Sequence, residues 1–175
     1  MKLNFVVWLT GLSGSGKSTI ADWTKNSIPS FFYIQKNNVI ILDGDEIRKG
    51  ISKDLGFSIT DRTENVRRIA EIARLLIEHG FTVFVACMSP KLAMRDLAKS
   101  IIGGESFLEV YCNASWETCK NRDVKGLYKK FYKDGITNFT QFYEESPHIL
   151  WLPTNDRSIA SCVEILIYGI KRKFL

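Results

Sequence analysis

Residues 10–23 read TGLSGSGKSTIADW and follow directly on the apolar run FVVWL, so an apolar strand candidate runs unbroken into a glycine- and serine-rich loop. Within it Gly11, Gly16, Lys17 and Ser18 satisfy GxxxxGK[ST]. The pattern constrains the fold because such a loop works only between a buried strand and the N-terminus of a helix. Its glycines let the backbone curl until successive amides point at phosphate oxygens, and the first helical turn adds unpaired N–H groups and a positive dipole end. Lys17 is therefore expected to reach the β- and γ-phosphates of ATP, and the Ser18 hydroxyl to ligate Mg²⁺. The ATP-binding set reads as Gly11, Ser13, Gly14, Ser15, Gly16, Lys17, Ser18 and Thr19.

Further apolar runs stand at 39–42 (VIIL), 81–88 (FTVFVACM), 107–112 (FLEVYC) and 148–152 (HILWL). Near-continuous Val, Ile and Phe over a few residues marks strands covered on both faces, as in a parallel sheet flanked by helices. Helical segments are expected at 17–27, 61–79, 90–101, 115–121 and 158–172. In the second, Val66, Ile69, Ala70, Ala73, Leu76 and Ile77 recur at three- and four-residue steps, and Gly80 ends the pattern. The alternation predicts one α/β domain over 1–175, a doubly wound parallel sheet of about five strands. The stretch 122–147 is basic, aromatic and without a strand period, and reads as a lid that closes over a substrate.

Length and charge bound the rest. A chain of 175 residues buries one core. No run is long enough to span a membrane, and FVVWLTGL is too short for a signal peptide, so the expected compartment is the cytoplasm. The net charge of +5 is spread out, concentrated only near Arg122–Lys133, which suits a small anionic substrate rather than a polynucleotide. Cys87, Cys112, Cys119 and Cys162 form no CxxC pair, and His79 and His148 stand far apart; buried free thiols are expected.

A phosphate loop alone leaves the reaction open. No segment resembles the NKxD guanine reader of switch GTPases, and the FTVFVACM strand ends in Met-Ser-Pro rather than in the acidic pair of a motor ATPase. The acids follow VIIL instead, at Asp43 and Asp45 in LDGDEIR. Strand ends on one edge of a doubly wound sheet gather at one crevice, so these carboxylates can face the loop. One would orient an acceptor hydroxyl or take its proton, while Mg²⁺ is fixed through water. Taken alone, the same residues also suit a turn and helix cap around Gly44.

LDGDEIR at 42–48, GFSITDRTENVRRIAEIARLL at 56–76 and RDVKGLYKKFYKDGITNFT at 122–140, together with the loop, resemble the adenylyl-sulfate kinase family over about residues 3–140. The resemblance implies a P-loop kinase fold, a homodimer, and transfer of the γ-phosphate of MgATP to the ribose 3′-hydroxyl of a small nucleotide acceptor, adenosine 5′-phosphosulfate. It makes Lys17, Asp43, Asp45 and Lys125 the catalytic set, with Asp45 nearest the acceptor hydroxyl and Asp43 supporting the metal. Arg48, Arg62 and Asn65 would grip the ribose and 5′-phospho group, as guanidinium forks suit a dianion. Phe57 and Phe139 would stack on the two faces of the acceptor base, worth about 1–3 kcal/mol per face by analogy with single-strand stacking. Arg122 would reach the ATP, while Lys125, Gly126 and Leu127 of the lid and Ser89 complete the acceptor set, Ser89 in a structural or backbone role. Phe57 and Phe139 also suit core packing, and Arg62, Arg67 and Arg68 also suit a solvated helix face.

Two stretches depart from the family pattern. After NFT the chain reads QFYEESPHILW instead of a Gly-Ile-Asp and proline-rich run, and the third strand leads into ACMSPKLAMRD instead of a Ser-Pro-Tyr segment rich in Arg. Both lie near the acceptor base in the family. Cytidine diphosphoramidate, the acceptor of some relatives in capsule phosphoramidate synthesis, therefore stays open as an alternative acceptor. A non-catalytic nucleotide-binding regulatory module is the reading from another class.

Overall fold

The computed structural model describes residues 4–32, 34–134, 143–147 and 149–175. Its sheet holds five parallel strands, β1 (Val6–Thr10), β2 (Val39–Asp43), β3 (Thr82–Ala86), β4 (Phe107–Cys112) and β5 (Leu150–Leu152), in the order β2-β3-β1-β4-β5. β1 is central, with Val7 beside both Phe84 and Leu108. From β1 the chain runs to the edge strand β2 and returns through β3 beside β1, then builds outward on the other side through β4 and β5, so the reversal of strand order falls at the C-terminal end of β1, where the phosphate loop begins.

β1 alternates its side chains between two cores. Phe5, Val7 and Leu9 pack with Ile20 and Ala21 of α1 (Lys17–Ser27) and with Cys162, Val163, Leu166 and Ile170 of α7 (Ile159–Phe174). Val6 and Trp8 pack on the other face with Val66, Ile69, Ala70 and Ala73 of α3 (Ile59–Glu78) and Met94 and Ala98 of α4 (Leu92–Ile102). The unbroken apolar run at 5–9 thus reflects burial on both faces, as a helix-covered parallel sheet requires.

Helix starts follow local chemistry. α3 begins at Ile59 because Ser58 and Asp61 form a reciprocal capping box, so this helix starts two residues earlier than its apolar period suggests. Ser115 caps α5 (Trp116–Arg122) and Ser158 caps α7 more simply, each side chain accepting one backbone N–H of the first turn. The 81–88 run ends as a strand at Ala86, after which Cys87 and Met88 leave the sheet. Two helices are absent from the periodicity reading. α2 (Gly44–Lys49) occupies the acidic stretch, so Asp43 and Asp45 serve as cap and first-turn residues as well as facing the crevice. α6 (Leu127–Asp134) lies within the stretch read as an irregular lid. All four cysteines are free and buried. No helix among the described residues is long and apolar enough to cross a membrane.

Candidate active site

The phosphate loop links β1 to α1 through strained backbone. Gly11 has φ 143 and Gly14 has φ 78, and a Cβ on Gly14 would come within 2.9 Å of the Cys119 carbonyl oxygen. From α1 the Lys17 side chain folds back, its ammonium donating to the Gly11 carbonyl at 2.9 Å and the Leu12 carbonyl at 2.8 Å. Burial pushes the Lys17 ammonium below the ordinary lysine value, and the Lys125 charge adds to that shift. Such a group gains most from a phosphate, whose charge favours the protonated form.

β2 and α2 set two carboxylates beside the loop. The Ser18 hydroxyl donates to Asp43 Oδ2 at 2.5 Å, and Asp43 Oδ1 accepts the Asp45 backbone N–H at 2.9 Å. Asp45 in turn carries an ion pair with Lys125. Asp43 and Asp45 and, far along the chain from them, Lys125 therefore meet beside Lys17 and Ser18. Among the described residues there is no cluster of three or more His, Cys, Asp or Glu side chains able to hold a metal by themselves. The Ser18–Asp43 oxygen pair instead fits a hard cation that takes its other ligands from water and phosphate, the manner in which Mg²⁺ is bound beside nucleotides.

A single cavity of about 530 Å³ joins this centre to the cationic side of the site, where Arg48, Phe57, Arg62 and Asn65 line it. Phe57 is 57% exposed, and the guanidinium carbons of Arg48 and Arg62 lie 4.9 and 5.6 Å from its ring centroid. Arg48 donates to the Gly56 carbonyl at 2.8 Å, and Arg62 Nε to the Phe57 carbonyl at 3.0 Å. Burial, then the neighbouring Arg48 charge, lowers the Arg62 pKa from its usual value. Asn65 is 3% exposed, and its Oδ1, buried at the cavity, has no hydrogen-bond partner among the described residues. An orphaned buried acceptor facing a cavity is what a ligand hydroxyl or amine would satisfy.

The segment that starts at Arg122 is tied to carbonyls of the phosphate loop and to that of Thr154. Arg122 donates to Gly14 O at 3.3 Å and to Thr154 O at 2.7 Å, and the Tyr128 hydroxyl donates to Ser13 O at 2.8 Å. Asp123, at φ 22, turns the chain and caps α6, accepting from the Tyr128 and Lys129 N–H groups at 3.0 and 3.1 Å.

The sequence-derived set is placed unevenly. Ser13, Gly14, Gly16, Lys17, Ser18, Thr19, Asp43, Asp45, Arg48, Phe57, Arg62, Asn65, Arg122, Lys125 and Leu127 all line the one cavity. Gly11, Ser15 and Gly126 do not line it. Ser89, expected in the acceptor set, is fully buried; its hydroxyl accepts from Trp8 Nε1 at 3.0 Å and pairs with the Thr10 hydroxyl at 2.9 Å. Only its structural role is visible. Phe139 lies outside the described residues. Arg67 and Arg68 are not merely solvated: both pair with Glu64, and Arg68 also with Asp54. Sequence reasoning missed Thr154, a cavity-lining residue whose buried Oγ1 has no hydrogen-bond partner among the described residues, and Tyr143, which reaches the loop from the far end of the 122–147 stretch. Neither carries a local motif, and only the fold brings them in.

Comparison with known proteins agrees with this arrangement. A model of the adenylylsulphate kinase family matches residues 3–148. Adenylyl-sulfate kinase of Acaryochloris marina is 42% identical over 176 residues, covering 98% of this chain and 83% of that protein. The Pseudomonas aeruginosa adenylyl-sulfate kinase is 47% identical over 135 residues, 77% of this chain and 67% of that one. Among solved structures, the Mycobacterium tuberculosis APS kinase CysC in complex with AMPPNP and APS superposes with a TM-score of 0.85 at 37% identity, covering 96% of this chain and 98% of that one. With the phosphate loop, the paired acids and the cationic pocket in one cavity, the chain belongs to the adenylylsulphate kinase family.

Proposed function

We propose that the protein transfers the γ-phosphate of ATP to the 3′-hydroxyl of adenosine 5′-phosphosulfate, in the cytoplasm and as a homodimer. The observation that carries the reading is the single cavity lined both by Lys17 and Ser18 and by Arg48, Phe57, Arg62 and Asn65, with Asp45 on its wall. Its likeness to a kinase structure holding an ATP analogue together with APS supports the same pair of ligands.

The residues divide the work by chemistry. The amides of residues 13–19 cradle the phosphates, and Lys17 neutralises the transferring group. Ser18 and Asp43 would hold Mg²⁺, which would supply charge neutralisation to the phosphates. Arg48, Arg62 and Asn65 hold the acceptor, and Phe57 stacks on its base. Asp45 accepts a hydrogen bond from the 3′-hydroxyl and aligns it for in-line attack, which requires the Lys125 ammonium to give up Asp45 and turn to the transferring phosphoryl group. Arg122, anchored on both Gly14 and Thr154, lies over the ATP.

A coupled assay for ADP release, run side by side with adenosine 5′-phosphosulfate and cytidine diphosphoramidate, tests the acceptor. Adenosine 5′-phosphosulfate is expected to win by about 10²-fold or more in kcat/KM, as a hydrogen-bonded pocket discriminates between bases. Preference for the cytidine compound would overturn the assignment, and no ADP release with either would leave a nucleotide-binding module.

A further inference from the structure

Tyr128 stands in the first turn of α6 with its backbone, ring and hydroxyl all held. Its N–H donates to Asp123 Oδ1 at 3.0 Å. The residue is 1% exposed and packs with Leu12, Ala114 and Cys119 in a small core of its own, where the Trp116 ring meets it edge-on with the centroids 4.9 Å apart. Its hydroxyl leaves that core to donate to Ser13 O at 2.8 Å. A residue of the lid sequence is thus packed into the underside of the phosphate loop.

What the hydroxyl fixes is a peptide plane. The peptide between Ser13 and Gly14 is trans, so its carbonyl and its N–H point in opposite directions, and a donor that holds Ser13 O on one side aims the Gly14 N–H to the other. The next carbonyl, Gly14 O, accepts from Arg122 at 3.3 Å, so both peptide planes that flank Gly14 are tied to the 122–128 stretch. Gly14, at φ 78, would otherwise be a loose joint, because glycine has the widest choice of backbone conformations. The neighbouring Ser15 N–H is engaged by Leu12 O at 3.1 Å, whereas the Gly14 N–H has no partner among the described residues. Ser13 and Gly14 both line the cavity, and an unpaired loop amide there is what a phosphate oxygen would satisfy.

We propose that Tyr128 is a positioning residue for the phosphates of ATP: by holding the Ser13 carbonyl, its hydroxyl turns the Gly14 N–H toward the transferring end of the triphosphate. Arg122 fixes the following plane and supports the same orientation. Nothing in the loop has to be displaced for the amide to act, so the contribution is one of preorganisation. The proposal rests on ATP being the donor and is independent of the acceptor's identity.

The test is binding of AMPPNP with Mg²⁺ to the full chain by calorimetry, with the Gly14 amide followed by NMR. Tyr128→Phe keeps the ring and removes only the hydroxyl. It is expected to raise the AMPPNP Kd about five- to tenfold, the size of one net hydrogen bond, while the KM for adenosine 5′-phosphosulfate stays within about twofold. In the unmodified chain the Gly14 amide proton is expected to move downfield when AMPPNP and Mg²⁺ are added, and in Tyr128→Phe that movement is expected to shrink. Tyr128→Leu removes the ring as well and so measures packing. Affinity lost in Tyr128→Leu but kept in Tyr128→Phe would assign the effect to packing and overturn the proposal, as would a Gly14 amide that does not respond in the unmodified chain. An equal rise in the AMPPNP Kd and the acceptor KM in Tyr128→Phe would mark a general loosening and would overturn it too. Failure of the unmodified chain to bind AMPPNP would remove the ATP reading itself and this proposal with it.

Discussion

Asp43 and Asp45 are separated by one residue and differ in what holds them. Both oxygens of Asp43 are engaged within the core of the site, by the Ser18 hydroxyl and the Asp45 N–H. Asp45 is exposed on the cavity wall and, among the described residues, its carboxylate pairs across it with Lys125. Lysine is a mobile point charge on a long stem, so this pair can part while Asp43 keeps its place as the cap of α2. Asp45→Asn keeps the shape and removes the acceptor of the hydroxyl proton. It is expected to lower kcat by about 10²–10⁴-fold, the range of general acid–base contributions, with the ATP Kd within about twofold of the parent. Rapid-quench turnover and equilibrium ATP binding check the two halves of that statement, and retained turnover would remove Asp45 from the acceptor side.

At the scale of elements, the segment preceding α3 is braced by charge. Arg68 of α3 donates to Ile51 O at 2.8 Å and to both Asp54 oxygens at 2.7 and 2.8 Å, tying down the turn that leads to Phe57. Glu64, one helical turn earlier, accepts Arg68 Nε at 2.9 Å and two Arg67 nitrogens at 2.8 and 2.9 Å. The Arg67 and Arg68 hydrogen bonds hold the Glu64 carboxyl well below its usual 4.5, at about 2. A carboxylate whose folded-state value is depressed stabilises the fold fully above its unfolded value, and loses that contribution as the pH falls through the folded one. Glu64→Gln is therefore expected to lower the melting temperature at neutral pH. The gap to the parent should close between pH 4.5 and about 2, and shrink in high salt because the cluster is exposed. A gap that persists unchanged at pH 2 would show that the Glu64 charge contributes nothing to the brace.

The whole molecule explains which parts of it could be read from the sequence. The central strands β1 and β3 were legible because they are buried on both faces and so are written in nearly unbroken apolar letters, while the edge strands β2 and β5, only partly buried, were legible from shorter runs of the same kind. The phosphate loop was legible because its chemistry needs adjacent residues in a fixed order. α2 and α6 were not: the one is six residues of mostly charged sequence, and the other is basic and aromatic with no long apolar stripe. Thr154 and Tyr143 were illegible as site residues because only the fold brings them to the site, Thr154 meeting Arg122 from 32 residues away and Tyr143 meeting Gly11 from 132.

The same long-range gathering concentrates charge that looks diffuse along the chain. Lys17, Arg48, Arg62, Arg122, Lys125 and Arg157 line one cavity with only Asp43, Asp45 and Asp123 to oppose them, while the chain as a whole carries +5. A cleft with one dominant sign draws anions in, and that pull is screened as the Debye length falls from about 10 Å at 0.1 M salt to about 3 Å at 1 M. Chemistry inside the closed site is screened far less. Raising potassium chloride across that range is therefore expected to lower kcat/KM for the anionic acceptor by about tenfold, with kcat held within about twofold. Steady-state kinetics at saturating MgATP separate the two. An equal fall in kcat would mean that salt acts on the transfer step, and an unchanged kcat/KM would mean that the gathered cations grip the acceptor without drawing it in.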